Sequence, residues 1–268
     1  MTQARDFGFG EEQQMLKDAS LRFMQDKQPL VHLRKHTEGT EDPYLGKERP
    51  GVYDTDAWAE MVQLGWTALA VPESAGGAGM DLVTAVGVME EVGRAAMPTP
   101  LTSTLLATFV LRHAQEPAAQ AALSRIAQGS SAAIAIHNQQ GELELDATEV
   151  TVTDGQLSGT SYFVQDLQKV DFLVVAAKEG GQLGLYTVDV NADGVTCHAD
   201  RIVDMTRDQG RVEFNGAAAE CVAVPGQGAD VLHQSQPALL TLVAADIAGG
   251  CEWMLQALSL IHISEPTR

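Results

Sequence analysis

The residues that first invite a chemical reading lie in VPESAGGAGMDL, residues 71–82. Gly76, Gly77 and Gly79 sit between two carboxylates, Glu73 and Asp81. A glycine-rich loop feeding a helix is a common way to present backbone amides to a phosphate. Here the spacing gives neither GxGxxG nor GxxxxGK[ST], and no lysine lies nearby. Asp81 stands where the next helix starts, so its carboxylate caps the helix amides and takes the place an anion would use. The stretch reads as a tight, capped glycine turn, with a loop lining some other ligand as the remaining alternative. The cysteines, Cys197, Cys221 and Cys251, are far apart and odd in number, with no CxxC, so neither a disulfide framework nor a metal site is expected.

The chain has 268 residues, 45% of them hydrophobic and 20% charged, a globular composition with length for one large domain or two to three smaller ones. A net charge of −19 repels a nucleic-acid duplex, so no nucleic-acid partner is expected. An anionic ligand such as a CoA thioester needs a local basic pocket. The opening MTQARDFGFGEEQQ lacks the apolar core of a signal peptide, and no run reaches the roughly 18 uncharged apolar residues of a membrane span. A cytoplasmic, reducing setting is the expectation.

The elements that must position any chemistry follow from the periodicity. Met15, Leu16, Ala19 and Phe23 recur at helical spacing after Gly10, and that helix ends near Lys27, before Pro29. An acidic loop is expected over roughly 37–54. Ala57, Met61, Val62 and Leu64 predict a short helix closed by Gly65. Leu82, Val83, Val86, Met89 and Val92 predict one face of a helix that starts at Asp81, with Gly93 as a weak break. Helices are further expected over 101–113 and from Pro117 to about Gln128. From about residue 131 the period changes. Residues 148–153 alternate, Asp154-Gly155 is a hairpin signal, and 170–177 suits a strand buried on both faces. Further strands are expected at 183–190, 211–215 and 220–224, in a β-sandwich or barrel. Helix resumes from about Ala229 through Leu239, Leu240, Val243, Ile247 and Met254. The fold class is therefore α+β and multi-domain: an N-terminal helical domain (1–130), a middle β-domain (131–226) and the first helix of a C-terminal bundle (227–258).

LGWTALAVPESAGGAGMDLVTAVGVMEEVGRAAMPTPL (64–101) resembles the acyl-CoA dehydrogenase family, in which a similar GW…VPE..GG.G…EE.GR…P.P pattern joins helices of the N-terminal domain. FGFGEEQQMLKDASLRFMQDK is similar to that family's first helix. LSGTSYFVQDLQKVDFLVVAA (157–177) resembles its middle-domain G-x-K-x-W-[IV]-[TS] segment. The likeness runs from residue 7 to about 257.

The resemblance implies a flavoprotein oxidoreductase of fatty-acid or lipid metabolism that binds FAD and an acyl-CoA. A glutamate removes the α-proton, and the β-hydride passes to the flavin. It further implies electron-transfer flavoprotein as acceptor and an oligomeric assembly. By this likeness Phe163 stands against the flavin ring, and Val164 and Gln165 stand where backbone and a hydroxyl meet flavin N5. Gln165 is a departure, and Ser161 replaces the usual lysine. The family's L-[TS]-E-P-x-x-G-S-D loop corresponds to residues 135–142, which places Ile136 and His137 at the cofactor while the glutamate–proline and serine–aspartate pairs are gone.

No catalytic base is offered. Leu239 falls near the position that a minority of members use, Glu252 reads as a solvated or interface carboxylate, and the base is expected beyond the chain end. The closing residues, Ser259 to Arg268, depart from the family and read as non-native tail. The expectation is thus an incomplete, inactive acyl-CoA dehydrogenase. The alternative is a non-catalytic or half-site subunit of a hetero-oligomeric enzyme of the sterol side-chain type.

Overall fold

The computed structural model describes residues 8–37, 53–142, 144 and 147–264. Most of the loop expected over 37–54, and the last four residues of the expected tail, lie outside the described residues. In chain order the elements are α1 (Glu11–Lys27), α2 (Leu30–Thr37), α3 (Thr55–Gln63), a 3₁₀ turn (Glu73–Ala75), α4 (Leu82–Ala95), α5 (Leu101–Leu111) and α6 (Pro117–Ala127). Eight strands follow: β1 (Ala132–Ala135), β2 (Thr151–Thr153), β3 (Gln156–Gln165), β4 (Phe172–Glu179), β5 (Gln182–Asp189), β6 (Val195–Ala199), β7 (Gln209–Ala218) and β8 (Glu220–Ala223). The long helix α7 (Gly228–Ser264) closes the order. The α+β class is as expected. Three elements escaped the sequence reading, α2 just beyond Pro29, the short strand β1 and the partly exposed strand β6.

The chain forms two compact units. One holds α1, α2, α4 and α7 from Leu240 onward. Gly10 opens α1, its amide held at 3.0 Å by Gln13 Oε1, and Glu11 and Glu12 occupy the first turn, where carboxylates favour the helix dipole. The buried face of α4 is Ala85, Val88, Met89 and Val92; Leu82, Val83 and Val86 are only half-buried, which corrects the expected face. Gly93 is no break. A β-carbon there would stand 1.9 Å from the Asp246 carbonyl oxygen, and one at Gly249 would stand 1.8 Å from that of Glu90. Glycine is needed because α4 and α7 cross almost backbone to backbone.

The other unit holds α3, α5, α6, all eight strands and α7 up to Leu239. The strand order is β6-β7-β3-β2-β4-β5-β8, with β1 parallel to β4. The β2–β3 hairpin turns at Asp154 (φ 50°) and Gly155 (φ 74°), the left-handed pair that matches strand twist. Strand β4 is buried on both faces, as read. Phe172, Val174 and Ala176 pack with α5 and α6 residues such as Val110, Leu123 and Ile126. Leu173, Val175 and Ala177 face a second core enclosed by the sheet itself, with Val150, Leu157, Val164, Val212 and Phe214.

The hydrophobic positions read for α7 mark mainly its open face. Leu240, Val243, Ile247 and Met254 are exposed, Leu239 is partly buried, and the buried positions include Val231, Leu232, Ala238, Leu242 and Ala245. Residues Gly228–Ser259 contain an 18-residue window of mean hydropathy 1.4, of which 22% is buried. By length and composition alone this helix is long and apolar enough to cross a membrane, a test that the core helix of a soluble protein passes as well. The expectation of no membrane span asked for an uncharged run, which Asp230, Asp246 and Glu252 interrupt, whereas an average tolerates them.

Candidate functional site

The glycine turn comes first, because its amides are the obvious phosphate cradle. They are already used. Ala78 donates to Ala68 O (2.9 Å), Gly79 to Val71 O (2.8 Å) and Met80 to Leu69 O (2.9 Å). A β-carbon at Gly77 would stand 2.1 Å from the Val71 carbonyl oxygen, so the loop folds back on its own backbone. Asp81 caps α4, accepting from Thr84 N at 3.1 Å. The turn is structural.

The residues that the family likeness points to gather where the end of β1 meets the end of β3. His137 forms an antiparallel bridge with Tyr162; its carbonyl accepts from Tyr162 N (3.0 Å) and Ser161 Oγ (3.3 Å). Ser161 thus does local backbone work. Ile136 packs against the helix-side core. The turn after His137 closes on Asn138, whose side chain accepts from Glu142 N (3.1 Å) and donates to the Glu142 carboxylate (2.5 Å). All five expected positions, Ile136, His137, Phe163, Val164 and Gln165, therefore fall in one neighbourhood.

Phe163 stands out there. The β3–β7 pairing slips between Ser161 and Val164, and that irregularity turns Phe163 outward at φ 55°. A non-glycine residue in the left-handed region is uncommon, and a bulky one is worth a reason. Its ring is 43% exposed although Ser161 and Val164 are fully buried. Gly141 (φ 66°) lies under the ring, where a β-carbon would come within 3.3 Å of it. The bulge therefore presents an aromatic face, with the Gln165 amide two residues on and half-exposed.

Behind this edge lies a charged group that the sequence reading passed over. Lys169 is 2% exposed and reaches Asp166 at 3.1 Å and Asp208 at 3.0 Å. Asp166 is fully buried and is itself left-handed at φ 56°. Burial pushes its carboxyl above the ordinary carboxylate range; the Lys169 charge opposes this and the Asp208 charge adds to it. The signal available was the D-x-x-K spacing directly after the aromatic, in a stretch otherwise bound for burial.

The helical unit has a cleft of about 590 Å³ lined by Lys17, Glu91, Arg94, Glu252 and Trp253 among others. Its cations are engaged. Lys17 pairs with Glu90, and Arg94 pairs with Glu91 at 2.9 Å and with Glu252. Burial raises the Glu91 carboxyl above its usual range despite Arg94 and Lys17. Glu252 is thus an ion-pair partner of α4, half-exposed.

A family model for the acyl-CoA dehydrogenase N-terminal domain matches residues 10–130. Acyl-CoA dehydrogenase IpdE2 of Mycobacterium tuberculosis is 39% identical over 114 residues, 41% of this chain and 36% of that protein. Residues 10–130 thus carry the N-terminal domain of the acyl-CoA dehydrogenase family, and the chain is similar to members of that family. The matched region spans little more than a third of that relative's length. The acyl-CoA dehydrogenase of Geobacillus kaustophilus superposes with a TM-score of 0.81 at 20% identity, over 99% of this chain and 71% of that one. The ChsE4–ChsE5 complex of M. tuberculosis gives 0.80 at 21%, over 96% and 68%. These structures share the helix–sheet–helix order, and so place the β1–β3 edge in an acyl-CoA dehydrogenase fold.

Proposed function

We propose that this chain contributes the flavin-facing edge of an acyl-CoA dehydrogenase, with Phe163, Val164, Gln165, Ile136 and His137 as the residues that hold FAD. The observation that supports the reading most is Phe163 itself, an aromatic ring turned outward on a left-handed bulge between the buried Ser161 and Val164. An exposed ring backed by Gly141 suits stacking against a planar heterocycle. The Gln165 amide can both donate and accept at the edge of such a ring system. The open Asn138–Glu142 turn beside them supplies further polar rim.

FAD would accept the hydride in the α,β-desaturation of an acyl-CoA thioester, and electron-transfer flavoprotein would reoxidise it. The protein's share is binding, orientation and exclusion of water around the aromatic face. None of the residues at the edge is assigned as the base. Glu252 is bound to Arg94, and Leu239 has no ionisable group. The ChsE4–ChsE5 neighbour is a complex of two different subunits, and this chain's assembly is proposed as an oligomer of either kind.

The test is anaerobic. The purified chain is mixed with FAD and then with a panel of acyl-CoA thioesters, alone and with a co-expressed homologue. Flavin bleaching with at least one thioester supports the reading. Retained FAD with no bleaching under either condition removes the dehydrogenase assignment but leaves a flavin site.

A further inference from the structure

Two left-handed non-glycine residues, Phe163 and Asp166, stand within four positions of each other. Each such conformation is strained and persists only where its surroundings over-determine it. The surroundings here are the buried charges. Asp166 donates its amide to Asp208 O (3.1 Å), and Lys169 donates its own to Asp166 O (2.8 Å). The Lys169 ammonium then joins both carboxylates, closing a loop of bonds around the turn after β3. The same residue reaches the other half of the edge. The Lys169 carbonyl accepts from Ser131 Oγ (3.2 Å), and Ser131 immediately precedes β1, which leads to Ile136 and His137. One Asp166 oxygen, Oδ2, is buried without a hydrogen-bond partner. Such a cluster is poor value as a stabiliser, since burying charge offsets most of what pairing returns.

We propose that Asp166, Lys169 and Asp208 are positioning residues that hold the 163–166 backbone in the conformation that aims Phe163 and Gln165. The inference rests on the reading that this edge faces a flavin. Lys169 touches no ligand; it acts through the turn, and Asp208 ties that turn to the segment entering β7.

The full chain is compared with Lys169→Met, Lys169→Arg and Asp208→Asn, and with Val174→Ala. The last is a buried control in β4 whose side chain packs in the helix-side core, on the other side of the sheet from Val164 and Leu167, chosen to lower thermal stability. Two readouts are taken. FAD affinity is followed by quenching of flavin fluorescence. Separately, in a Phe163→Trp background without flavin, the emission of the introduced indole and its quenching by acrylamide report the aim of position 163. Lys169→Met is expected to weaken FAD about tenfold or more, equivalent to about 1.4 kcal/mol, and to shift the indole signal, with Lys169→Arg recovering most of both. Asp208→Asn, at a partly exposed position, gives the same changes to a smaller degree and serves if Lys169→Met does not fold. Val174→Ala leaves both readouts in place. An indole signal unmoved by Lys169→Met and Asp208→Asn overturns the proposal, as does an equal change in Val174→Ala. If the parent chain binds no FAD while the indole still shifts, the flavin reading fails and the positioning role stands.

Discussion

Replacing Phe163 by glycine separates a residue kept for packing from one kept for presentation. Were Phe163 an ordinary core aromatic, truncation would cost about 3–5 kcal/mol. The structure predicts far less. Leaving the left-handed conformation to glycine recovers about 1–2 kcal/mol of strain. Against this, the ring is 43% exposed, so losing its burial forfeits just over half of the roughly 1.5–3 kcal/mol that a fully buried Phe contributes. The added chain entropy of glycine costs about 0.5–1 kcal/mol more. The terms nearly cancel, and Phe163→Gly is expected to change stability by about 1 kcal/mol or less. Urea unfolding, read at the midpoint with the slope unchanged, measures it, while FAD affinity measured in parallel should fall. A loss of about 3 kcal/mol or more would show that the ring is a core residue and would refute the strain reasoning.

Gly77→Ala puts a β-carbon 2.1 Å from a backbone carbonyl and is expected to cost about 3 kcal/mol, seen as a lowered urea midpoint; a neutral substitution would contradict the close approach. Glu91→Gln tests a pH effect. Its folded carboxyl is raised above 4.5, so the folded state holds more protons than the unfolded one just above that pH, and the residue's contribution to stability falls as pH rises. The stability of the parent minus that of Glu91→Gln should therefore decline on going upward from about pH 4.5, and a rising difference would reverse the assignment. Leu255→Lys, at a position 68% exposed on α7, should leave stability within about 0.5 kcal/mol while lowering binding of an apolar dye.

Much of the frame was legible because local chemistry and tertiary need agreed. Asp81 caps α4 as its side chain and position require, Pro117 opens α6, and Asp154-Gly155 turns the hairpin. Strand β4 declared itself by an unbroken apolar run, and two cores do flank it. What periodicity missed was decided by neighbours. On α7 beyond Leu239, Leu240, Val243 and Ile247 lie on the open face while Ala245 and Gly249 are buried, because the close approach to α4 at Gly93 and Gly249 favours small residues there. At the candidate site the family pattern pointed to Phe163 but not to its left-handed backbone, which follows from a register slip against β7 some fifty residues on. The Lys169 ion group showed in the sequence only as the Asp166–Lys169 spacing, since Asp208 joins it through the fold.

Equilibrium titration of the purified chain with FAD decides whether the β1–β3 edge receives a flavin. Saturable binding with a perturbed flavin absorption band, weakened in Phe163→Gly while the urea midpoint holds, is the predicted result. An unperturbed flavin spectrum at every FAD concentration, or binding indifferent to Phe163, would contradict it.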